Sequence, residues 1–204
     1  ALAPQHGNDR ESVIRNADTA MYTAKENGRG KFCVFSPEMN QRVFEYLWLD
    51  TNLRKALDND QLLIHYQPKV TWRGEVRSLE ALVRWPRRPG GEIGPDTFIT
   101  IAETSGLIYK LGQFVLQRAC RDMVPFSELK LSVNISPAQF RDPEFENKVA
   151  QVLDTTSFPA NRLQLEVTET YVLENPERAR MAIANLKALG TAVALDDFGT
   201  GYSS

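Results

Sequence analysis

The chain has 204 residues, room for one to two domains at about 150 residues each, and its 42% hydrophobic and 25% charged content excludes a disordered chain. The 24 Lys and Arg against 26 Asp and Glu leave a formal charge of −2, which excludes a binder of nucleic-acid polymer that works by neutralising phosphates. No apolar run approaches the ~18 residues of a membrane span. The start Ala1-Leu2-Ala3-Pro4-Gln5 lacks a signal peptide's basic and apolar regions, and Cys33 and Cys120 make neither a disulfide framework nor a metal-ligand spacing. A cytoplasmic protein is expected. The absence of an initiator Met makes a piece of a longer parent the expectation, with any membrane anchor lying upstream.

Taken in chain order, Ile14, Ala17, Met21 and Ala24 recur at helical spacing between Asp9 and Asn27, and Gly28 follows as a stop. Phe32-Cys33-Val34-Phe35 reads as a short strand. Ser36-Pro37 starts a helix with Ser at the N-cap and Pro at N1, and Val43, Leu47, Leu53 and Leu57 carry its stripe to about Asn59. That helix reads as a linker, so three segments are expected: 1–36, 37–59 and 60–204. Beyond it, Leu62–Thr71 and Val76–Trp85 flank the turn Trp72-Arg73-Gly74-Glu75 and predict a hairpin. Helices are expected near Pro95–Ser105, Tyr109–Met123, Glu144–Thr155 and Pro176–Leu189. Strands are expected at Leu129–Ile135, Arg162–Thr168 and Thr191–Leu195. Strand–helix alternation of this kind implies a parallel sheet or barrel with helices outside.

Side chains alternate across a strand, so parity sorts them into faces. In 78–85 the odd positions are all apolar while the even ones carry Ser78, Glu80, Leu82 and Arg84. The same split recurs in 131–136, with Ser132, Asn134 and Ser136 at even positions, and in 163–169, with Glu166 among the polar set. In the last strand, Ala192, Ala194 and Asp196 share one parity. One face is therefore expected to pack on helices and the other to carry Glu80, Asn134, Glu166 and Asp196, near the C-terminal mouth of a parallel barrel. Three carboxylates and an amide brought together repel unless a cation joins them. Hard oxygen donors of this kind suit Mg²⁺ or Mn²⁺, and the adjacent Asp196-Asp197 before Gly199-Thr200-Gly201 can serve two metals. Blander readings stand beside these. The Asp pair also reads as a solvated turn, and Glu166–Glu169 as a surface edge. Glu80 with Arg84 reads as a structural ion pair, and His65 as a packed strand residue rather than a ligand.

These residues carry a family resemblance. Tyr66-Gln67-Pro68-Lys69, Glu80-Ala81-Leu82-Val83-Arg84-Trp85, Val133-Asn134-Ile135-Ser136, Glu166-Val167-Thr168-Glu169 and Asp196-Asp197-Phe198-Gly199-Thr200-Gly201-Tyr202-Ser203-Ser204 resemble, in this order, the EAL domain over about residues 42–204. That family comprises cyclic di-GMP phosphodiesterases of bacterial signalling. The resemblance implies an α/β fold, a TIM-like barrel with one antiparallel strand, and Mg²⁺- or Mn²⁺-dependent hydrolysis of cyclic di-GMP to linear pGpG. By position it implies Glu80, Asn134, Glu166 and Asp196 as metal ligands, with Asp197 serving a second metal and Glu80, Asp196 and Asp197 at the catalytic centre. It implies that Arg84 holds a substrate phosphate, that Gln67 and Leu82 lie at the substrate face, and that Glu169 anchors the loop after the aspartate pair. Residues 17–25 and 27–31 resemble the end of a GGDEF domain without its signature loop, so cyclase activity is not expected.

Family members continue with strands bearing a lysine, a glutamate and a glutamine. The expectation is therefore a barrel truncated after about the fifth strand. On its own such a chain is expected to be inactive and to aggregate or pair with a second copy; a homodimer through these domains is also an expectation. Two other functions fit the same residues: a receptor that holds cyclic di-GMP without cleaving it, and a regulatory scaffold acting through the Ser36–Asn59 helix.

Overall fold

The computed structural model describes residues 1–26, 30–87 and 90–196. The chain divides into two compact units, Ala1–Asn52 and Leu53–Ser204. The first contains helix α1 (Arg10–Glu26) and the start of helix α2 (Pro37–Asp58). Asp9 begins α1 by accepting the Ser12 amide on Oδ1 at 2.8 Å, which satisfies a donor the helix itself cannot pair. Ala20, Ala24, Phe35 and Leu49 are buried here. Phe32–Phe35 is not a strand: it is irregular chain with no ladder partner among the described residues. An apolar tetrapeptide becomes a strand only where a neighbouring strand takes up its backbone groups.

The second unit opens with the hairpin. Strand β1 (Leu63–Val70) runs antiparallel to β2 (Val76–Arg87), and β2 also pairs antiparallel with the short β3 (Gly91–Ile93). Helices α3 (Pro95–Ser105) and α4 (Ile108–Met123) lead to β4 (Lys130–Asn134). Helices α5 (Pro137–Arg141) and α6 (Phe145–Thr156) lead to β5 (Leu163–Thr168), and α7 (Glu169–Glu174) and α8 (Pro176–Ala188) lead to β6 (Ala192–Asp196). The sheet order is β1-β2-β4-β5-β6, with β3 attached to β2. Every pairing from β2 to β6 along that path is parallel. Turn chemistry explains several boundaries. Pro95 occupies the first turn of α3, and Gly106 ends it at φ 76, a left-handed conformation that suits a residue without Cβ.

The core lies between the sheet and its helices. Leu131 and Val133 of β4 and Leu163, Leu165 and Val167 of β5 are at most 2% exposed. They are the apolar parity of their strands, and each fully buried aliphatic side chain contributes roughly 1.5–3 kcal/mol of transfer free energy. Facing helices bury Leu116, Ala119 and Met123 of α4, Val149 and Val152 of α6, and Ala182 and Leu186 of α8. The expected packing parity fails at β6, where Leu195 is 45% exposed, because among the described residues β6 stands at the margin of the sheet with one paired flank. His65 is also exposed, so it is not the packed strand residue expected.

Elements β3, α5 and α7 were not anticipated, and each is six residues or fewer, too short for periodicity to register. The overall alternation of strand and helix is as expected, and the strands form one open mixed sheet. No helix among the described residues is long and apolar enough to cross a membrane.

Candidate active site

The polar parity of the parallel strands converges as expected. Cα register pairs Glu80 with Ser132, Asn134 with Glu166, and Thr168 with Asp196. Even residues therefore share a face from β2 to β6; Asn134 stands two residues beyond the partner of Glu80, Glu166 is level with Asn134, and Asp196 stands two residues beyond the partner of Glu166. The ladder continues past β4, since the Ile135 amide donates to the Glu166 carbonyl at 2.8 Å. That bond fixes the end of β4 against the middle of β5, so Asn134 and Glu166 stand side by side.

Side-chain contacts tie the cluster together. Asn134 Nδ2 donates to Glu80 Oε1 at 2.7 Å. Gln164 Nε2 donates to Glu166 Oε1 at 2.9 Å. Glu166 is buried, its side chain 8% exposed, and a carboxylate that deep needs a charge partner. Its partner is Lys69, whose Nζ lies 2.5 Å from Glu166 Oε1 and 3.2 Å from Glu80 Oε2. Burial pulls the Lys69 ammonium toward losing its proton, but the hydrogen bonds and charges of Glu166 and Glu80 outweigh burial and hold its pKa above the usual lysine value.

Lys69 was not singled out from sequence, although it stands in the quoted motif. The usable signal was hairpin register. Gln67 pairs with Glu80 and Lys69 with Ser78, so odd residues of β1 share the face of even residues of β2. The pairing slips immediately afterwards, with Val70 opposite Val76, so Arg77 is the extra residue of a bulge. Bulges re-aim side chains beside active sites.

The structural pairing of Glu80 with Arg84 does not occur. Glu80 pairs with Lys69, while Arg84 Nε lies 3.4 Å from Glu92 Oε1 and its Nη1 donates to the Val83 carbonyl at 3.0 Å. Four residues separate Glu80 from Arg84 on one strand face, about 13 Å of rise, which takes the guanidinium beyond the carboxylate and toward β3. There it borders a cavity of about 270 Å³ lined by Leu82, Arg84, Asn134, Ser136, Gln139 and Thr168. The Ser136 side of this cavity is shaped by α5, whose capping box pairs Ser136 with Gln139 in both directions. The S-x-x-Q spacing of that box was present in the sequence. Gln67 is exposed on the same face as Glu80. Glu169 begins α7 directly after β5. Asp196 ends β6 and is exposed, and Asp197 lies outside the described residues.

The donor set suits a hard divalent cation. Glu80, Asn134 and Glu166 supply carboxylate and amide oxygens, and a cationic ammonium already stands between the two carboxylates. Among the described residues, no group of three or more His, Cys, Asp or Glu is gathered closely enough to hold a metal; the cluster seen here is two carboxylates and an amide.

Known proteins resemble this chain throughout. A profile of the EAL domain matches residues 50–204. The cyclic di-GMP phosphodiesterase PdeR of Escherichia coli K12 is 57% identical over 208 residues, spanning 100% of this chain and 32% of PdeR. The bifunctional diguanylate cyclase/cyclic di-GMP phosphodiesterase MucR of Pseudomonas aeruginosa is 39% identical over 210 residues, spanning 100% of this chain and 31% of MucR. The chain thus spans about a third of the length of these curated relatives. Among solved structures, the PaMucR phosphodiesterase in its c-di-GMP complex superposes with a TM-score of 0.74 at 37% identity, covering 77% of this chain and 66% of that one. The Xanthomonas citri FimX EAL domain in complex with c-diGMP superposes with a TM-score of 0.66 at 27% identity, covering 78% of this chain and 63% of that one.

Proposed function

The chain belongs to the EAL-domain family, and from that premise we propose that the intact protein hydrolyses one phosphodiester bond of cyclic di-GMP in a divalent-metal-dependent reaction, releasing linear pGpG. The observation that carries the reading is the gathering of Glu80 and Glu166 around one cationic atom, Lys69 Nζ, with Asn134 hydrogen-bonded to Glu80 on the same face of the sheet. Two relatives, PdeR and NbdA, are named cyclic di-GMP phosphodiesterases, which supports the substrate.

In this reading Glu80, Asn134, Glu166 and Asp196 hold a Mg²⁺ or Mn²⁺ ion, and Asp197 serves a second one. Such ions supply Lewis acidity toward water and neutralise charge developing on the phosphoryl oxygens. The protein's own part is positional. Glu80 and Glu166 present anionic oxygens from adjacent registers, while Asn134 contributes a neutral one and fixes the Glu80 rotamer. Arg84, released from Glu92, binds a non-bridging phosphate oxygen beside the cavity, where a guanidinium offers paired donors. Leu82 and Gln67 bound the substrate face. Glu169 steadies the segment after Asp196 from the first turn of α7. In the same reading residues 1–36 are the end of a GGDEF domain, joined by a connecting helix over 37–59 to the EAL domain.

The test is incubation of the intact protein with cyclic di-GMP and Mg²⁺, with chromatographic separation of products, for the wild type and Glu80→Gln. Formation of pGpG by the wild type and loss of at least a hundredfold in rate for Glu80→Gln are expected, without loss of fold by circular dichroism. Full hydrolysis by Glu80→Gln would sink the ligand assignment, and nucleotide bound but uncleaved by the wild type would identify a receptor instead.

A further inference from the structure

We propose that Lys69 is a built-in counter-ion for the unloaded site, occupying the position that the divalent ion takes, so that metal binding is an exchange of cations rather than the filling of a vacancy. The inference rests on the reading of Glu80, Asn134 and Glu166 as metal ligands. One nitrogen atom, Lys69 Nζ, lies 2.5 Å from Glu166 Oε1 and 3.2 Å from Glu80 Oε2. A divalent ion bound to the same two oxygens needs contacts of about 2.1 Å and would claim the space the ammonium fills. Both cations cannot stand there at once, and their mutual repulsion in a partly desolvated site enforces the choice.

The geometry gives each state a reason to exist. Glu166 has only 8% of its side chain exposed, and a carboxylate so placed is costly without a positive partner. Lys69 supplies that partner through a flexible four-carbon stem, which allows a compact ammonium to come and go. Its side chain is 38% exposed, so an exit to solvent is already open. Regular register pairs Lys69 with Ser78, which places it on the sheet face that carries Glu80, just before the pairing slips at Val70. The counter-ion thus comes from β1, the antiparallel strand, whereas Glu80, Asn134 and Glu166 come from β2, β4 and β5, which run parallel to one another. The consequence is a site that is assembled before metal arrives, at the expense of affinity for it.

The experiment is direct measurement of Mn²⁺ binding to the intact protein, by loss of the free-ion electron paramagnetic resonance signal and by calorimetry, without nucleotide. Lys69→Met and the hydrogen-bonding Lys69→Gln remove the competing charge, Lys69→Arg keeps it, and Glu80→Gln removes a ligand. Circular dichroism and thermal melting in chelator check each fold. The expected result is a Kd about tenfold lower for Lys69→Met and Lys69→Gln, the size of one coupled pair interaction. Lys69→Arg should stay within about threefold of wild type. Melting in chelator should be lowered in the two neutral variants and restored by Mn²⁺. Binding seen in the neutral variants but too weak to detect in the wild type also supports the exchange. Unchanged or weaker binding in both neutral variants, with loss in Glu80→Gln, overturns the exchange while leaving the ligand reading intact. No Mn²⁺ binding in any variant overturns both.

Discussion

Replacing Arg178 with Met should destabilise the second unit by about 2–3 kcal/mol at pH 7, and the structure supplies the reasons. Arg178 of α8 grips Glu146 of α6 bidentately, Nη1 to Oε1 at 2.8 Å and Nη2 to Oε2 at 3.1 Å, and Nη2 also donates to the Asp142 carbonyl at 2.8 Å. One side chain thus joins α8, α6 and the turn after α5. The Glu146 side chain is 10% exposed and that of Arg178 is 27% exposed. Breaking a fully buried pair by removing one partner costs about 3–5 kcal/mol, and the partial exposure of Arg178 brings this down to about 2–3. Burial pushes the Glu146 pKa up, but the Arg178 hydrogen bonds and charge override it and hold the carboxyl below its ordinary value of 4.5. A depressed carboxyl stabilises the fold at pH above its unfolded value, and that contribution disappears as pH falls through the folded value. The difference between wild type and variant should therefore be full at pH 7 and shrink as pH falls below about 5. Urea unfolding at several pH values measures it. Arg178→Met with Glu146→Met should recover more than half the loss, because the orphaned charge is gone. A loss under about 0.5 kcal/mol at pH 7, or a difference that widens in acid, refutes the reasoning.

Three further outcomes are expected. If Arg84 holds a substrate phosphate as proposed, Arg84→Ala should raise KM for cyclic di-GMP by tenfold or more with a smaller change in kcat; unchanged constants would show that Arg84 stays with Glu92. In Gly112→Ala a new Cβ would meet Gln139 Nε2 at 1.7 Å, displacing a buried side chain that caps α5. The lost cap and crowding outweigh the roughly 1 kcal/mol that alanine adds to a helix, so thermal melting should show a net loss of about 1–2 kcal/mol; a stabilised variant would mean that Gln139 relocates freely. Burial pushes the Cys120 thiol up to about 12, and it is fully enclosed in α4. Alkylation should therefore be negligible in the native protein at pH 8 and complete in denaturant, as read by mass spectrometry, and rapid native labelling would contradict the burial.

Much of the site was legible from sequence because strand parity is a local property. Glu80, Asn134 and Glu166 each interrupt an apolar alternation, and parallel strands in equivalent registers bring interruptions of the same parity to one face. The expected helices near 95–105, 109–123, 144–155 and 176–189 likewise match α3, α4, α6 and α8 to within a residue or two. Other features depended on pairings between distant residues. Whether Phe32–Phe35 became a strand depended on a partner strand. Whether Glu80 found Arg84 or Lys69 depended on the hairpin register, which sets Lys69 opposite Ser78 and so on the face of two carboxylates lying 11 and 97 positions further along the chain. Periodicity reports which face a residue takes on its own element. Which charge meets it across the sheet is decided by the backbone hydrogen bonds that align one strand with the next, and those form only when the tertiary structure does.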